Sequence, residues 1–174
     1  MFATAHSSPE HWTNFFLMVG AGSATLAGLV FVAVTINLRG TIRDATHRFR
    51  AINMLTGFTA AFLVSSLALM GNQTFRAIGV EWLAISLLAT VINTNGYIQA
   101  FRLHSSLYAL SWFRIVGGSA CYLGQLIGSV LLIIGSAAGM YVCAISLVVS
   151  FGFFVSGSWL LVVGPAPSAD DASV

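Results

Sequence analysis

LMVGAGSATLAGLVFVAVTIN, residues 17–37, holds no charged side chain, and its reading decides the fold. At about 1.5 Å of rise per residue, such a run matches the roughly 30 Å hydrocarbon core of a bilayer and is read as a membrane-crossing helix. Four further runs of this kind follow, at residues 51–71, 82–101, 115–135 and 141–162. Only Ser136, Ala137, Ala138, Gly139 and Met140 stand between the last two, so these are expected to form a tight helical hairpin. The expected fold class is an all-α integral membrane protein, a five-helix transmembrane bundle. Residues 1–163 make up a single transmembrane domain, and the acidic, Pro-containing GPAPSADDASV at 164–174 a flexible tail.

Composition supports this reading. Of 174 residues, 57% are hydrophobic and 7% charged, against about 25% charged in ordinary soluble domains. All seven cations are arginine. Chemistry that needs a lysine amine, such as a retinal or pyridoxal Schiff base or a Ser-Lys dyad, is thereby excluded. A net charge of +2 gives no reason to expect nucleic acid as a partner.

The first run is expected to stay in the mature chain, because no positive segment precedes it and it exceeds the roughly 7–15 apolar residues of a signal peptide. Ser8, Pro9 and Glu10 read as its helix start: an N-cap, a first-turn proline and an acid at the positive end of the dipole. Arginine placement sets the orientation, since cytoplasmic loops accumulate Lys and Arg. Arg39, Arg43, Arg48 and Arg50 follow the first run and Arg102 and Arg114 the third, against Arg76 alone on the other side. The N-terminus is therefore expected outside and the C-terminus in the cytoplasm. Trp12 and Trp82 fall at the outer boundary and Trp112 and Trp159 at the inner one, as interfacial tryptophans do. Cys121 and Cys143 lie at different depths and are not expected to form a disulfide, which needs α-carbons within about 7 Å.

Helices in lipid gain little from apolar burial against each other, so close approach through small residues matters more. The first helix carries Gly20, Ala24 and Gly28 at four-residue spacing and the fourth Ala120, Gly124 and Gly128, with Gly152 and Ser156 on the fifth. These are the candidate packing seams, within one chain or in a homo-oligomer. Polar residues inside the runs form a second pattern. Ser86, Thr90, Asn93 and Tyr97 share one face of the third helix, with Asn95, Gln99 and Arg102 on a neighbouring face; Tyr122, Gln125 and Ser129 share a face of the fourth. Asn93 and Gln125 fall near the midplane, where they could pair. These amides either bond helix to helix, or Asn93, Asn95, Tyr97, Gln99, Tyr122 and Gln125 line a polar path.

Motifs for chemistry are missing. No acid or base lies centrally in a run, as coupled pumps usually require, and Glu81 only borders the third. Ser119 and Ser158 have no histidine at their depth, and HExxH is absent. His6 and His11 belong to one end and His47 and His104 to the other, at the edges rather than inside the bundle where haem ligands sit. No enzyme activity, metal or cofactor is expected. The most charged stretch, RGTIRDATHRFR, has Thr41 and Asp44 spaced as a capping box. Its arginines, Arg39, Arg43, Arg48 and Arg50, suit anionic lipid headgroups or a docking partner.

WTNFFLMVGAGSATLAGLVFVAVTINLRG, and the stretch from Trp12 through Arg50 as a whole, resembles a group of small, largely uncharacterised bacterial multi-pass proteins. These open with a tryptophan, a Gly/Ala-rich segment and an LxGLxFVAxxxN-like helix, and some are labelled modulators of a membrane-bound AAA protease. The resemblance implies a bacterial inner membrane and a non-enzymatic role. The expectation is a structural or regulatory subunit that works through helix packing and its arginine-rich loop; the alternative is a passive oligomeric channel or small-solute carrier lined by the third and fourth helices. For the orientation, a single cysteine placed at Thr41, in a chain with Cys121 and Cys143 replaced by alanine, is expected to react with an impermeant maleimide only from the cytoplasmic side. Labelling in intact cells overturns it.

Overall fold

In a computed structural model, which describes residues 12–36, 45–103 and 112–162, the chain forms helices α1 (Thr13–Ile36), α2 (Ala45–Ala68), α3 (Phe75–Leu103), α4 (Trp112–Ile134) and α5 (Ala138–Val162). Each contains a stretch long and apolar enough to cross a membrane. Among the described residues the chain is thus all-α, with five helices able to span a membrane, as a multi-pass membrane protein requires. The expected runs at residues 17–37, 51–71, 82–101, 115–135 and 141–162 each fall on one helix. The largest difference is at α3, which begins at Phe75 rather than near Trp82. Thr74 caps it: its hydroxyl oxygen accepts from the Ala77 N–H at 3.3 Å and its carbonyl from the Ile78 N–H at 3.1 Å. Arg76 and Glu81 lower the hydropathy of these turns without breaking the helix. Glu81 therefore lies inside α3 instead of bordering it, and the Gln73 side-chain amide donates to its two carboxylate oxygens at 3.2 and 3.1 Å.

Helices adjacent in sequence pack on one another, and α5 returns to meet α2 and, more lightly, α1. Helices α2 to α5 accordingly close a four-helix bundle, with α1 laid along α2 beside α5. One end of the molecule, the hairpin end, carries the α2–α3 and α4–α5 connections. At the opposite, arginine end α1 and α3 finish and α2 and α4 begin.

The α4–α5 pair is the tightest. A Cβ built on Gly139 would stand 2.7 Å from both the Gly128 carbonyl oxygen and the Leu132 nitrogen, and one on Gly128 would stand 2.9 Å from the Cys143 nitrogen. The two backbones touch, as only glycine permits. Gly124 faces Ser146 one turn on, and Gly79 brings α3 equally close to Leu132 and Ser129. The hairpin is reversed by Gly135 at φ +92°. Its N–H bonds the Leu132 carbonyl and the Ser136 N–H the Leu131 carbonyl, each at 2.9 Å, a Schellman ending that satisfies carbonyls which lipid could not.

Two apolar clusters fill the bundle. At the hairpin end Phe16, Trp82, Leu132, Met140 and Leu147 are buried together; at the arginine end Val30, Met54, Phe58, Tyr122 and Phe154 are. Trp82, expected at the outer boundary, lies at that end but is turned inward, with 1% of its surface accessible and its ring centroid 6.0 Å from that of Phe16. Trp12, beside the ring of Tyr141 at 4.9 Å, stays at the edge. The outward faces are apolar, with Leu29, Phe31, Leu88, Ile127 and Ile145 among the exposed side chains. Cys121 and Cys143 are buried free thiols, as their depths require.

Close approach is expected to govern stability. Gly128→Ala or Gly139→Ala should destabilise the bundle by about 1–3 kcal/mol through overpacking. Gly28→Ala and Gly152→Ala, where a Cβ meets nothing within 4 Å, should be neutral or slightly stabilising. Unfolding titrations in detergent, followed by circular dichroism, check the order.

Candidate functional site

Polar side chains inside these helices have first to satisfy themselves, and the hydroxyls mostly do so locally. Ser23 donates to the Val19 carbonyl at 2.6 Å, Thr90 to that of Ser86 at 2.7 Å, and Ser150 to that of Ser146 at 2.7 Å. A glutamine cannot close such a bond to its own turn so cheaply, and Gln125 reaches across helices instead. Its Oε1 accepts from the Ser86 hydroxyl of α3 at 3.3 Å, and its Nε2 donates to the Ser150 hydroxyl of α5 at 3.3 Å. One amide joins three helices. The Cys143 thiol donates to the Gln125 backbone carbonyl at 3.8 Å, so the close α4–α5 contact and the amide bridge lie side by side.

The inward face expected on α3 is present: Ser86 and Asn93 are buried, and Thr90 and Tyr97 half-buried. Tyr122, Gln125 and Ser129 of α4 are buried likewise. Asn93 does not pair with Gln125. It lies two helical turns, about 10 Å, beyond Ser86 toward the arginine end, and it is Ser86 that meets the amide. Asn95 and Gln99 are exposed on the outside of the bundle, because a step of two residues turns a helix by about 200°. The six residues considered as a path are thus divided: Asn93, Tyr97, Tyr122 and Gln125 turn inward, and Asn95 and Gln99 outward.

At the arginine end a second polar level appears. Asn93 Oδ1, Tyr122 OH and Asn53 Oδ1 are buried without a hydrogen-bond partner. Counted from the helix termini at that end, all three stand about 12–15 Å in, on α3, α4 and α2. Asn53 was not singled out in the sequence, though it is an amide within an apolar run, the same signal that marks Asn93. Gly118 lies beneath this level, where a Cβ would come within 3.0 Å of the Tyr97 hydroxyl.

The packing seams are reduced within one chain. Gly20 packs on Ser65, where a Cβ would stand 3.3 Å from Ser65 Cβ, and Gly124 and Gly128 pack on α5. Ala24, Gly28 and Ala120 are exposed. The reason is the helical period: four residues advance about 400°, so a stripe at that spacing turns about 40° per step away from its partner. Gly57 against Phe154, Gly117 against Phe153 and Gly157 against Met54 are contacts that spacing alone did not mark.

Among the arginines, Arg48 is exposed on the first turn of α2. Arg39 and Arg43 lie outside the described residues, as do the side chain of Arg50, Thr41, Asp44, residues 8–10, His6, His11, His104, the side chains of His47, Trp112 and Trp159, and the tail 164–174. Among the described residues, no three His, Cys, Asp or Glu side chains gather in one place. No protein-family model, no curated protein and no solved structure matches the chain.

The two polar levels are expected to respond differently to leucine. Gln125→Leu removes two interhelical bonds, each worth about 0.6 kcal/mol on average, and should lower stability by about 1 kcal/mol. Asn93→Leu removes an oxygen that bonds nothing and should leave stability unchanged or raise it. Detergent unfolding of the two variants side by side gives the comparison.

Proposed function

We propose that this chain is a non-catalytic integral membrane protein, a structural or regulatory subunit that acts through helix packing and through the arginine-rich segment around residues 39–50. The observation that carries this reading is the use made of Gln125. Its amide is committed on both sides, to Ser86 and to Ser150, and toward the hairpin end the bundle is filled by Phe16, Trp82, Leu132, Met140 and Leu147, each no more than 2% accessible. Polar groups at this depth hold helices together.

The excess of arginine at one end supports an orientation with that end cytoplasmic. The resemblance read in the sequence of residues 12–50 to small bacterial multi-pass proteins supports a bacterial inner membrane and a non-enzymatic role. Exposed Ala24, Gly28 and Ala120 offer small-residue faces on which a second copy or another membrane subunit can approach. Passive permeation stands as the second reading, favoured by the unpartnered oxygens of Asn93 and Tyr122 at the arginine end.

Substituting both Asn93 and Gln125 with leucine separates the two. A subunit held by packing should show reduced stability or assembly, and proteoliposomes of the native chain should pass small solutes no faster than empty ones. Solute flux in the native chain that the double variant abolishes, with assembly intact, overturns the packing role in favour of transport.

A further inference from the structure

Contacts along the α3–α4 interface fix its register. A Cβ on Gly79 would stand 2.8 Å from Leu132 Cβ, and seven residues further along each of these antiparallel helices the Ser86 hydroxyl meets the Gln125 amide at 3.3 Å. Continued at the same step, the register sets Ala89 opposite Tyr122, two members of one buried cluster, and then Asn93 opposite Gly118, which is also buried. Tyr97, one turn beyond, reaches back to this level: a Cβ on Gly118 would come within 3.0 Å of its hydroxyl.

Side chains on a helix lean toward its N-terminus. Because α3 and α4 run in opposite directions, Tyr122 leans toward the arginine end and Asn93 toward the hairpin end, which closes the one-turn separation of their α-carbons. Asn93 Oδ1 and Tyr122 OH therefore converge from facing helices over Gly118, with the Tyr97 hydroxyl beside them. The two tyrosines are close enough to interact electrostatically. Asn93 and Tyr122 are each no more than 5% accessible, and neither oxygen has a hydrogen-bond partner. A carbonyl oxygen and a hydroxyl that face each other without bonding are spaced for a small bridging group.

We infer that this level of the α3–α4 interface binds a single water molecule, which accepts the Tyr122 proton, donates one hydrogen to Asn93 Oδ1 and turns its second toward the Tyr97 oxygen. The chemistry selects the occupant. The site has to receive a proton from a phenol and supply one to a carbonyl oxygen, which a metal cation or an anion cannot both do and water can. Three polar contacts are also the usual number for a buried water. Gly118 leaves the room, since any side chain there would project onto the site. One step toward the hairpin end the Gln125 amide is already engaged by Ser86 and Ser150, so the water is held where it is. Its binding depends on neither the packing role nor permeation, and the hydration pattern separates it from both.

The test is water-edited solid-state NMR of the full, isotope-labelled chain in phospholipid bilayers, which reads magnetisation passed from water to nearby carbons. Side-chain carbons of Asn93 and Tyr122 should receive it before those of Phe58 and Leu132, both 0% accessible. Gly118→Ala, which places a methyl group on the site, should abolish this early transfer, and Gly28→Ala, where a Cβ meets nothing within 4 Å, should keep it. Tyr122→Phe, which removes the proton donor and little volume, should abolish early transfer to Asn93. Unchanged Gln125 and Ser150 shifts show that each variant is folded. Release of an ordered water can offset the bonds it made, so occupancy and not stability is the quantity read. Transfer to Asn93 and Tyr122 of the native chain no earlier than to Phe58 overturns the site, as does early transfer that survives Gly118→Ala. Equally early transfer to Gln125, Ser86 and Ser129 denotes a file of waters and overturns the single site in favour of permeation.

Discussion

The backbone contact between Gly128 of α4 and Gly139 of α5 sets the geometry on which the remaining packing depends. Because the two helices lack side chains at this level, Cys143 comes within 3.8 Å of the Gln125 carbonyl and Ser146 lies over Gly124. That separation also lets the Gln125 side chain reach Ser150. The same amide then engages Ser86 and fixes α3 against the pair, an approach that Gly79 repeats nearer the hairpin end. In a medium where apolar burial offers helices little reason to associate, contact distance takes the place that hydrophobic area holds in water.

Polarity in the bundle is organised by level. Near the middle, Gln125 and its two serines form a closed set. Nearer the arginine end, Asn53, Asn93 and Tyr122 present buried oxygens with no partner, beside an apolar cluster that includes Met54 and Phe154. The contrast follows from side-chain reach, since a serine hydroxyl can fall back on the carbonyl four residues earlier, as Ser150 and Ser158 do, whereas an asparagine amide depends on a neighbour.

Much of the architecture was legible in the uninterrupted apolar runs, because a helix in lipid must be both long and uncharged. The start of α3 was not, since Arg76 and Glu81 depress hydropathy where the Thr74 cap in fact begins a helix. The inward faces of α3 and α4 could be read from spacing. Partner choice could not: counting residues from the ends of the apolar runs puts Asn93 and Gln125 near a common depth, but the docked helices offset them by two turns and give the amide to Ser86. The small-residue stripes were half legible for the same reason. Spacing identifies which residues share a helix face, while the neighbouring helix decides how far along that face contact persists, and it ends before Gly28.

The position of Phe16 has a consequence for the order of assembly. Its burial is shared with Trp82 of α3, Leu132 of α4, and Met140 and Leu147 of α5. Helix α1 can pair with α2 as soon as both are in the bilayer, yet the far wall of the Phe16 seat is complete only when α5 has been inserted. Synthesis proceeds from the N-terminus, so the helix made first is among the last to reach its final packing. Until then its aromatic end, Phe15 and Phe16, stands open to lipid, to a chaperone or to another chain.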